Sequence, residues 1–369
     1  MVTIKAVQRP TIVQNHKSLS KSTTMKKFLG IMIAVCLGAL IQLHAQTQDN
    51  PYLTKSLQGQ SIKNVKVETS GGSIDVDGIT SGEAKVEMYV RSNDRHDNLT
   101  KEEIKAKLEE DYIIEIVVSN AKLTATAKQK NKITNWKNAL SISFKVYVPK
   151  NVSTDLNTSG GSISISNVTG QQDFRTSGGS LHADHISGKI NGRTSGGSIE
   201  VSDATDDINL STSGGGISAK DCSGKMKLTT SGGSLQFKRL KGTIEAKTSG
   251  GNVQGNEISG EIEAHTSGGN IDFQDISGSL DASTSGGNID VTMTKLDKYL
   301  TLQNSGGSVH LTVPKNQGLD LNLKGDRVKS TALTNFSGSM EDDEVKGKIN
   351  GGGAMITVKG NGSVHLAFK

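Results

Sequence analysis

The sequence predicts an all-β protein: a β-solenoid, or two-sheet β-helix with 18-residue coils, that carries one short helix in its N-terminal part. Three observations predict this fold. The letters TSGG begin at Thr158 and return every 18 residues through Thr284 without an insertion. Within each copy, apolar and polar residues alternate as in a half-buried strand. Glycine recurs at two fixed places, where a short coil must turn. So constant a period indicates one structural unit stacked on copies of itself.

Residues 1–45 are expected to be absent from the mature chain. Lys26 and Lys27 precede the apolar run FLGIMIAVCLGALIQL, and Ala45 is a small residue at the cut, which is typical of a secretory signal peptide over residues 25–45. The run is shorter than the ~20 residues of a membrane span. Residues 1–24 are polar and patternless, as expected of a miscalled upstream start. Attachment as a lipoprotein through Cys36 is the weaker alternative, because Val35 stands where a small residue is wanted.

The net positive charge of the whole chain comes from residues 1–45. Residues 1–45 hold six of the 42 Lys and Arg and none of the 37 Asp and Glu, which leaves 36 basic against 37 acidic residues. A near-neutral mature chain gives no electrostatic reason to expect nucleic acid as a partner. Of the two cysteines only Cys222 survives processing, which excludes an intrachain disulfide.

Residues 46–157 are predicted to hold the first coils and a capping element. The segment LTKEEIKAKLEEDY, residues 99–112, is the good helix candidate: Thr100 and Glu103 form a capping-box pattern, and Ile104 and Leu108 share a face. The stretches YIIEIVVS, KLTATAK and SISFKVYV around it alternate as strands of a less regular sheet. The end of a solenoid needs such a cover, because unpaired strand edges bind other chains.

The regular coils, residues 158–295, are described by counting from the Thr of TSGG as position zero. Positions +5 and +7 form one apolar stripe, +14 and +16 form a second, and +10 is apolar at the corner between them. Two strands per coil, separated by two turns, are therefore expected to enclose a narrow core. By alternation the Thr at zero also points inward, where its hydroxyl can bond either to the turn or to the Thr of the neighbouring coil. Cys222, at +10, is expected to be a small core residue.

The turns explain the glycines. Position +12 is Gly in each regular coil up to Gly278 except one, where it is Asp206, and the other turn is the SGG itself. We expect both turns to need positive φ, which glycine adopts without a Cβ penalty. The predicted turn residues of the first three coils are Gly160, Gly161, Gly178, Gly179, Gly196 and Gly197.

Residues 296–369 are expected to form less regular C-terminal coils. NSGG at Asn304 follows the last TSGG by twenty residues, and a looser copy begins at Asn350. SGGSVHLTV from Ser305 and GNGSVHLAF from Gly360 resemble each other, which indicates strand up to the last residues. The sequence suggests no clear cover for this end.

The outward positions of the coils carry short polar residues. This composition favours a solvated face with stacked Ser and Asn ladders. The functional alternative is a hydrogen-bonding platform for a glycan or another repetitive polymer. No exposed stacking ring is expected in the regular coils, because their aromatic residues point inward by register: Phe174, Phe237 and Phe273.

One group of acids on neighbouring coils is the candidate cation site, since hard cations want several oxygens. No bases are expected to intervene between these acids. An exposed acidic patch that binds no metal is the simpler interpretation, and no cofactor is expected. The group comprises Glu245, Glu261, Glu263 and Asp281.

Catalysis is not expected. His182, His185 and His265 could act as bases, and the surface carboxylates could cleave a glycoside. None of these histidines has a plausible set of partners in the sequence, and no long loop interrupts the coils to build a cleft.

These features resemble the bacterial β-strand-repeat family labelled "putative adhesin", whose function is otherwise unknown. The resemblance rests on the signal peptide, TSGGSIDV, the junction VYVPKNVSTDLNTSGGSI, the TSGGxI coils with xISG turns, and the terminal KINGGGAMITV, over residues 50–369. It implies a β-solenoid and supplies no catalytic motif. The AQ at the cleavage site and the TSGG register suggest a Bacteroidetes-like envelope.

Three functions follow in order of preference. The first is an exported, non-enzymatic scaffold, adhesin-like or part of the cell envelope, that presents a repetitive polar surface for binding. The second is a periplasmic structural or sensory protein that binds another protein. The third is a carbohydrate-active enzyme. The expected location is the periplasm or the cell surface, the mature chain is expected to hold no membrane span, and the expected partner is an envelope protein or a glycan.

Overall fold

The N-terminal part of the solenoid combines short strands with one helix. The computed structural model describes residues 50–94, 99–131 and 135–369, so the expected signal peptide and the residues before it lie outside the described residues. A 3-10 turn at Trp136–Asn138 precedes the seventh strand. The elements are β1 (Leu53–Ser56), β2 (Asn64–Thr69), β3 (Ile74–Ile79), β4 (Lys85–Ser92), α1 (Lys101–Asp111), β5 (Tyr112–Ser119), β6 (Lys122–Gln129), β7 (Leu140–Pro149) and β8 (Ser153–Thr158).

Helix α1 begins where the capping-box pattern predicts. The Thr100 side chain accepts a hydrogen bond from the Glu103 backbone N–H, and the Glu103 carboxylate accepts one from the Thr100 N–H at 2.8 Å. Leu108 is buried and Ile104 packs partly against the core. The helix therefore covers part of this end with the face that the sequence predicts.

The order of the strands in space differs from their order in the chain at this end. β2 pairs in parallel with both β6 and β8, so the first coil lies between a later segment and the regular coils. Outside it, β5 runs antiparallel to β6, and β4 runs antiparallel to β7. β1 then pairs antiparallel with β4. The stack thus ends in antiparallel strands, which do not continue the repeat.

The regular coils stack in parallel with a constant offset of 18 residues. Leu181 pairs with Ile199 and Arg193 with Ser211, and the same offset continues from strand to strand. The strands are β9 (Ile163–Ser166), β10 (Gln172–Arg175), β11 (Leu181–Arg193), β12 (Ile199–Ser211), β13 (Ile217–Lys220), β14 (Ser223–Thr229), β15 (Leu235–Lys247), β16 (Val253–Thr266), β17 (Ile271–Thr284) and β18 (Ile289–Asn304).

The strand count per coil corrects the prediction of two strands separated by two turns. In β11, β12, β15, β16 and β17, one strand runs from +5 to +17 or beyond and bends without ending. The described strands therefore join into a single 25-stranded hydrogen-bonded sheet that winds around the core. The β-solenoid itself is as predicted, with the second turn folded into the strand.

The core is filled by the positions that the sequence predicts. Leu235, Leu240, Ile244 and Ala246 represent +5, +10, +14 and +16 of one coil, and all are buried. Phe174, Phe237, Phe273 and Cys222 also point inward, as predicted. The odd inward residue is Gln172, whose amide donates to the Val152 carbonyl at 2.9 Å and whose Oε1 accepts from Thr154 Oγ1 at 2.7 Å. A buried polar group is tolerated there because both its amide nitrogen and its amide oxygen are hydrogen-bonded.

The bend inside the strand uses positive φ at two positions. Gly at +12 has φ of +107° at Gly188 and +130° at Gly242, and Asp206 has 82°, as the sequence predicts. Position +9 also has positive φ, and the sequence analysis missed it because the residue type changes from coil to coil. Asn and Asp adopt this region most readily among non-Gly residues, but a basic residue and Glu also occur. The +9 residues are Asn167, His185, Asp203, Asp221, Arg239, Glu257 and Asp275.

The glycines of the SGG corner were predicted to be needed for positive φ, and this reason is wrong. No SGG glycine of the described coils has positive φ. Instead, a Cβ on Gly179 would lie 2.0 Å from the carbonyl oxygen of Gly161 in the preceding coil, whereas a Cβ on Gly178 would lie 3.6 Å from Gly160 O. Gly161 and Gly197 repeat the close approach, while Gly160 and Gly196 repeat the open one. The second Gly of each corner is therefore required by backbone-to-backbone packing between coils.

The Thr of TSGG bonds to two corners at once. Thr230 Oγ1 donates to the Gly215 carbonyl of the preceding coil at 2.7 Å and accepts from the Gly233 N–H of its own coil at 3.3 Å. This confirms the predicted bond between the inward Thr and the turn. The donated bond recurs at Thr158, Thr176, Thr194, Thr212, Thr248, Thr266 and Thr284.

The C-terminal end repeats the rearrangement of strand order seen at the N-terminal end. The remaining strands are β19 (Val309–Val313), β20 (Leu319–Lys324), β21 (Arg327–Ser330), β22 (Phe336–Met340), β23 (Glu344–Ile349), β24 (Ala354–Gly360) and β25 (Ser363–Phe368). β24 lies between β18 and β20, and β25 lies between β19 and β21, all parallel. β23 and β22 complete this end as antiparallel strands beyond β20.

The corner packing predicts different outcomes for two adjacent glycines. Gly179→Ala should destabilise the chain by about 3 kcal/mol or more, because the new Cβ meets a backbone carbonyl that cannot rotate away. Gly178→Ala is the matched control and should change the free energy of unfolding by less than about 0.5 kcal/mol. Urea unfolding of both variants measures the difference. Equal effects at the two positions would show that close packing does not explain the second glycine.

The Thr hydroxyl predicts a second contrast. Thr230→Val keeps the shape but leaves the Gly215 carbonyl and the Gly233 N–H without their partner, so we expect a loss of about 1–3 kcal/mol. Thr230→Ser keeps the hydroxyl and removes one methyl group, which should cost about 0.8 kcal/mol. Thermal unfolding ranks the two variants. A serine variant less stable than the valine variant would mean that packing outweighs the hydroxyl bonds.

Candidate binding faces

The outward side chains form two faces along the coils. The first face carries positions +4, +6 and +8, and the second face carries +13, +15 and +17. On the first face the +4 column bonds to itself: the backbone N–H of Asn270 donates to Asn252 Oδ1 at 2.9 Å, and that of Asn288 donates to Asn270 Oδ1 at 2.8 Å. Ser162 and Ser180 make the same contact at 3.1 Å. This column is the predicted Ser and Asn ladder, and the side-chain oxygens of Ser162, Asn252 and Asn270 already have partners.

The +6 and +8 columns of the first face border a shallow groove of about 410 Å³. Its floor lies over Phe237, which is only 5% exposed, and over Gly255. A Cβ on Gly255 would lie 2.5 Å from Ile258 and 2.8 Å from Phe273, so the glycine leaves room for these core side chains. The rims present mainly amides and amines. The groove is lined by Ser218, Ala219, Lys220, Gln236, Phe237, Lys238, Gln254, Gly255, Asn256, Asp272 and Gln274.

Two half-buried tyrosines extend the first face toward the N-terminal end. The predicted inward rings were those of the regular coils, which do not include these two tyrosines. Lys145 Nζ lies 5.3 Å from the Tyr89 ring centroid, and Lys85 Nζ lies 5.2 Å from that of Tyr147. Burial and the hydrogen bond to Glu87 raise the pKa of Tyr89 to about 12. The ring faces are therefore covered by lysines of the chain itself.

The acidic cluster of the second face contains bases, which corrects the sequence analysis. Glu245 and Glu263 occupy neighbouring coils of one column, as predicted. Lys247 reaches both of them, at 2.9 and 3.1 Å, and Lys227 lies 2.9 Å from Glu245. The bases were missed because Lys227 comes from the coil before and Lys247 from the next column. Asp281 continues the Glu column, and Glu261 accepts a hydrogen bond from Tyr299 at 2.9 Å.

These contacts set the protonation of the cluster. Hydrogen bonds from Lys247 and Lys227 lower the pKa of Glu245, and those from Lys247 and His265 lower the pKa of Glu263. Because the folded-state pKa is depressed, their stabilisation is present above the pKa of an unfolded glutamate. It is lost as the pH falls through the lower folded-state value.

His265, one of the three candidate bases, has two close polar partners that the sequence did not predict. His265 Nδ1 lies 2.6 Å from Ser283 Oγ, and its Nε2 lies 2.9 Å from Glu263. The order serine, histidine, carboxylate is that of an activated nucleophile with its base. However, the three residues lie on paired strands of a flat face, where the backbone N–H groups are used in the ladder and cannot form an oxyanion hole. The contact therefore supports polar anchoring between coils.

A corner group was also missed by the sequence analysis. Asp184, His185 and Asp203 bring three possible metal-ligand atoms within 4.8 Å of one another. The signal was available only after the coil was folded, because positive φ at His185 and Asp203 turns them to the same corner. Asp184 is already held by His185 Nδ1 at 2.7 Å and by the Ser202 hydroxyl. His185 and Asp203 are exposed, Asp184 is half-buried, and the Asp184 carboxylate is already hydrogen-bonded.

Within residues 50–94, 99–131 and 135–369, no helix is long and apolar enough to cross a membrane.

Residues 259–362 match the family model described as Toastrack DUF4097. The match confirms, over the last coils, the resemblance to a β-strand-repeat family of unknown function. Among curated proteins, none matches the chain.

Three solved structures are similar to the chain at low identity. A putative cell adhesion protein from Clostridium sporogenes is 13% identical, covering 86% of this chain and 98% of its own, with a TM-score of 0.21. A putative lipid binding protein from Parabacteroides distasonis is 16% identical, covering 72% and 97%, with a TM-score of 0.29. A putative adhesin from Bacteroides fragilis is 13% identical, covering 86% and 96%, with a TM-score of 0.24. The fold is assigned from the strand pairing of this chain.

The charge network predicts that calcium adds little stability. Lysines already occupy the Glu245 and Glu263 oxygens, so calcium should shift the melting temperature by less than about 2 °C. Lys247→Gln removes the lysine that both carboxylates share and should enlarge the response. Melting curves with calcium and with a chelator test this. A large calcium shift in the unsubstituted chain, abolished by Glu263→Gln, would contradict the expectation.

Proposed function

We propose that the chain is an exported, non-enzymatic β-solenoid that acts as an adhesin-like or cell-envelope scaffold, presenting its first face to a repetitive polymer such as a glycan. The observation that carries the proposal is the groove between the +6 and +8 columns, which is open along its length and lined by amides and lysines. A polymer can lie along such a groove without entering a pocket.

The chemistry of the rims supports a polar, neutral or weakly anionic ligand. Gln236, Gln254, Asn256 and Gln274 offer both donors and acceptors, and Lys220 adds a cation on the same side. Strands repeat at roughly 4.8 Å, so a ligand with regularly spaced hydroxyl or carboxylate groups can bond to several coils in turn.

The strength of binding should depend on ligand length. Each exchanged hydrogen bond contributes only about 0.5–1.5 kcal/mol net, and no uncovered ring in the groove adds stacking energy. Affinity must therefore accumulate over several coils, as expected for multivalent contacts on a stiff scaffold. A long chain should bind well and a disaccharide poorly.

Export is proposed from the signal peptide pattern, with the periplasm or the cell surface as the location. The lone mature cysteine, Cys222, is buried, and burial raises the pKa of its thiol, so neither compartment would expose a reactive thiolate. Fractionation combined with protease treatment of intact cells separates the two locations. Recovery of the uncleaved chain from the cytoplasm alone would overturn the proposal of export.

A second candidate, a structural or sensory protein with a protein partner, is favoured by the N-terminal end. Strand β5 pairs with β6 on one side, and its exposed side chains include Ile113, 58% exposed, and Val117. Trp136, 64% exposed, lies in the turn before β7. Exposed apolar residues beside a strand edge suit strand addition or apolar docking by another protein.

Affinity electrophoresis of the mature chain tests the groove. Gels containing a neutral glucan, a polyuronate or purified peptidoglycan are compared with plain gels, and we expect at least one polymer to retard the chain. Gln236→Ala combined with Gln254→Ala should abolish the retardation, because both amides line the groove. Short oligosaccharides of the same sugar should compete weakly.

The control is a matched polar substitution on the opposite side of the coils. Asn209→Ala combined with Ser211→Ala lies on the second face and should leave the retardation unchanged. Equal loss in both double variants, or no retardation by any polymer, would overturn the glycan proposal. In the latter case, the exposed Trp136 and β5 edge become the place to look for a partner.

A further inference from the structure

The same four letters, SVHL, occur twice near the C-terminal end and meet in the fold. Val309 and Leu311 point into the core from β19, and Val364 and Leu366 do so from β25. Because side chains alternate along a strand, each intervening histidine points outward. The parallel register pairs His310 directly with His365, although 54 residues separate them in the chain.

The two imidazoles form a pair on the first face. Their ring centroids lie 4.9 Å apart and their planes are inclined by 24°. His310 is exposed and His365 is half-buried, so the outer ring edges are open to solvent. Both rings belong to strands held in a continuous ladder, which fixes their Cα atoms and leaves only side-chain rotation.

An acid on the next strand orients one ring. Asp290 pairs with His310 in the register of β18 and β19, and its Oδ1 lies 2.9 Å from His310 Nδ1. A proton on Nδ1 in this contact leaves Nε2 as the free acceptor. Histidines that bind metals commonly donate their second ring nitrogen to a carboxylate in this way.

We propose that His310 and His365 form a binding site for a divalent transition metal of the zinc class, with Asp290 orienting His310. Imidazole nitrogens suit Zn²⁺, Ni²⁺ and Cu²⁺ rather than calcium or magnesium. Zinc bonds to nitrogen at about 2.0–2.1 Å, so two tetrahedral ligands need nitrogens about 3.3 Å apart. Binding requires the two rings to rotate until one nitrogen of each reaches this separation, and water can complete the coordination.

The charged residues beside the two histidines in the +6 column limit the affinity of the site for a metal. Asp272 and Asp290 precede the pair, and Lys329 on β21 follows His365. The acids favour a cation and the ammonium group opposes it, so a site of moderate affinity is expected. A bound metal would connect β25 to β19 and so secure the strand that the chain inserts last at this end.

Calorimetric titration of the mature chain with zinc chloride, after dialysis against a chelator, tests the proposal. We expect His310→Gln and His365→Gln each to lose one equivalent of bound zinc. The double variant should also lose one equivalent and no more. Loss of a shared equivalent distinguishes one site made by two rings from two separate surface histidines. Asp290→Ala should weaken this equivalent by about 10–100-fold.

The matched control is His182→Gln. His182 occupies the same +6 column, and its Nδ1 lies 3.4 Å from Glu200, so it is a single imidazole beside an acid. Its substitution should leave the equivalent intact. Zinc binding that survives in either single variant, or that falls equally in His182→Gln, would overturn the site. All of these positions are exposed or half-buried, and circular dichroism checks that each variant is folded.

Discussion

The contact between successive TSGG corners is the constraint on which the rest of the structure depends. At each corner the second glycine lies against the same glycine of the coil before, so close that no side chain fits between them. The Thr hydroxyl then bonds to that coil and to its own turn. Any insertion in a coil must be absorbed elsewhere, because this contact fixes where the next coil begins.

The coil between Thr284 and Asn304 is longer than the regular coils and shows how the contact is preserved. Twenty residues separate Thr284 from Asn304, and β18 accommodates the extra residues through register shifts. Asn304 replaces the Thr: its Nδ2 donates to the Gly287 carbonyl at 2.8 Å, and its Oδ1 accepts from the Gly306 and Gly307 N–H groups. The longer amide reaches the same groups as the hydroxyl. The repeat is therefore defined by a hydrogen-bonding role more than by a letter.

Sequence periodicity predicted the features that depend only on where a single residue lies in the repeat or in its own element. Burial at Leu235 or Phe273 follows from alternation, and the helix cap at Thr100 follows from local spacing. Features that depend on the neighbouring coil were not predictable in this way. The steric role of Gly179, the lysines beside Glu245, and the His310–His365 pair all arise from residues brought together by the register. Positive φ at +9 was missed because the bend accepts Asn, Asp, His, Arg and Glu alike.

The placement of β24 and β25 between earlier layers has a consequence for biogenesis. Among the described strands, β20 and β21 are joined by parallel pairing to β18 and β19 only through these two later strands. Because a chain is synthesised from its N-terminal end, the regular coils could stack one by one as they emerge. The last layers would have to wait for residues 354–368. Until then, β18 and β19 would present free edges, and this interval is when a chaperone or a second copy of the chain could intercept them.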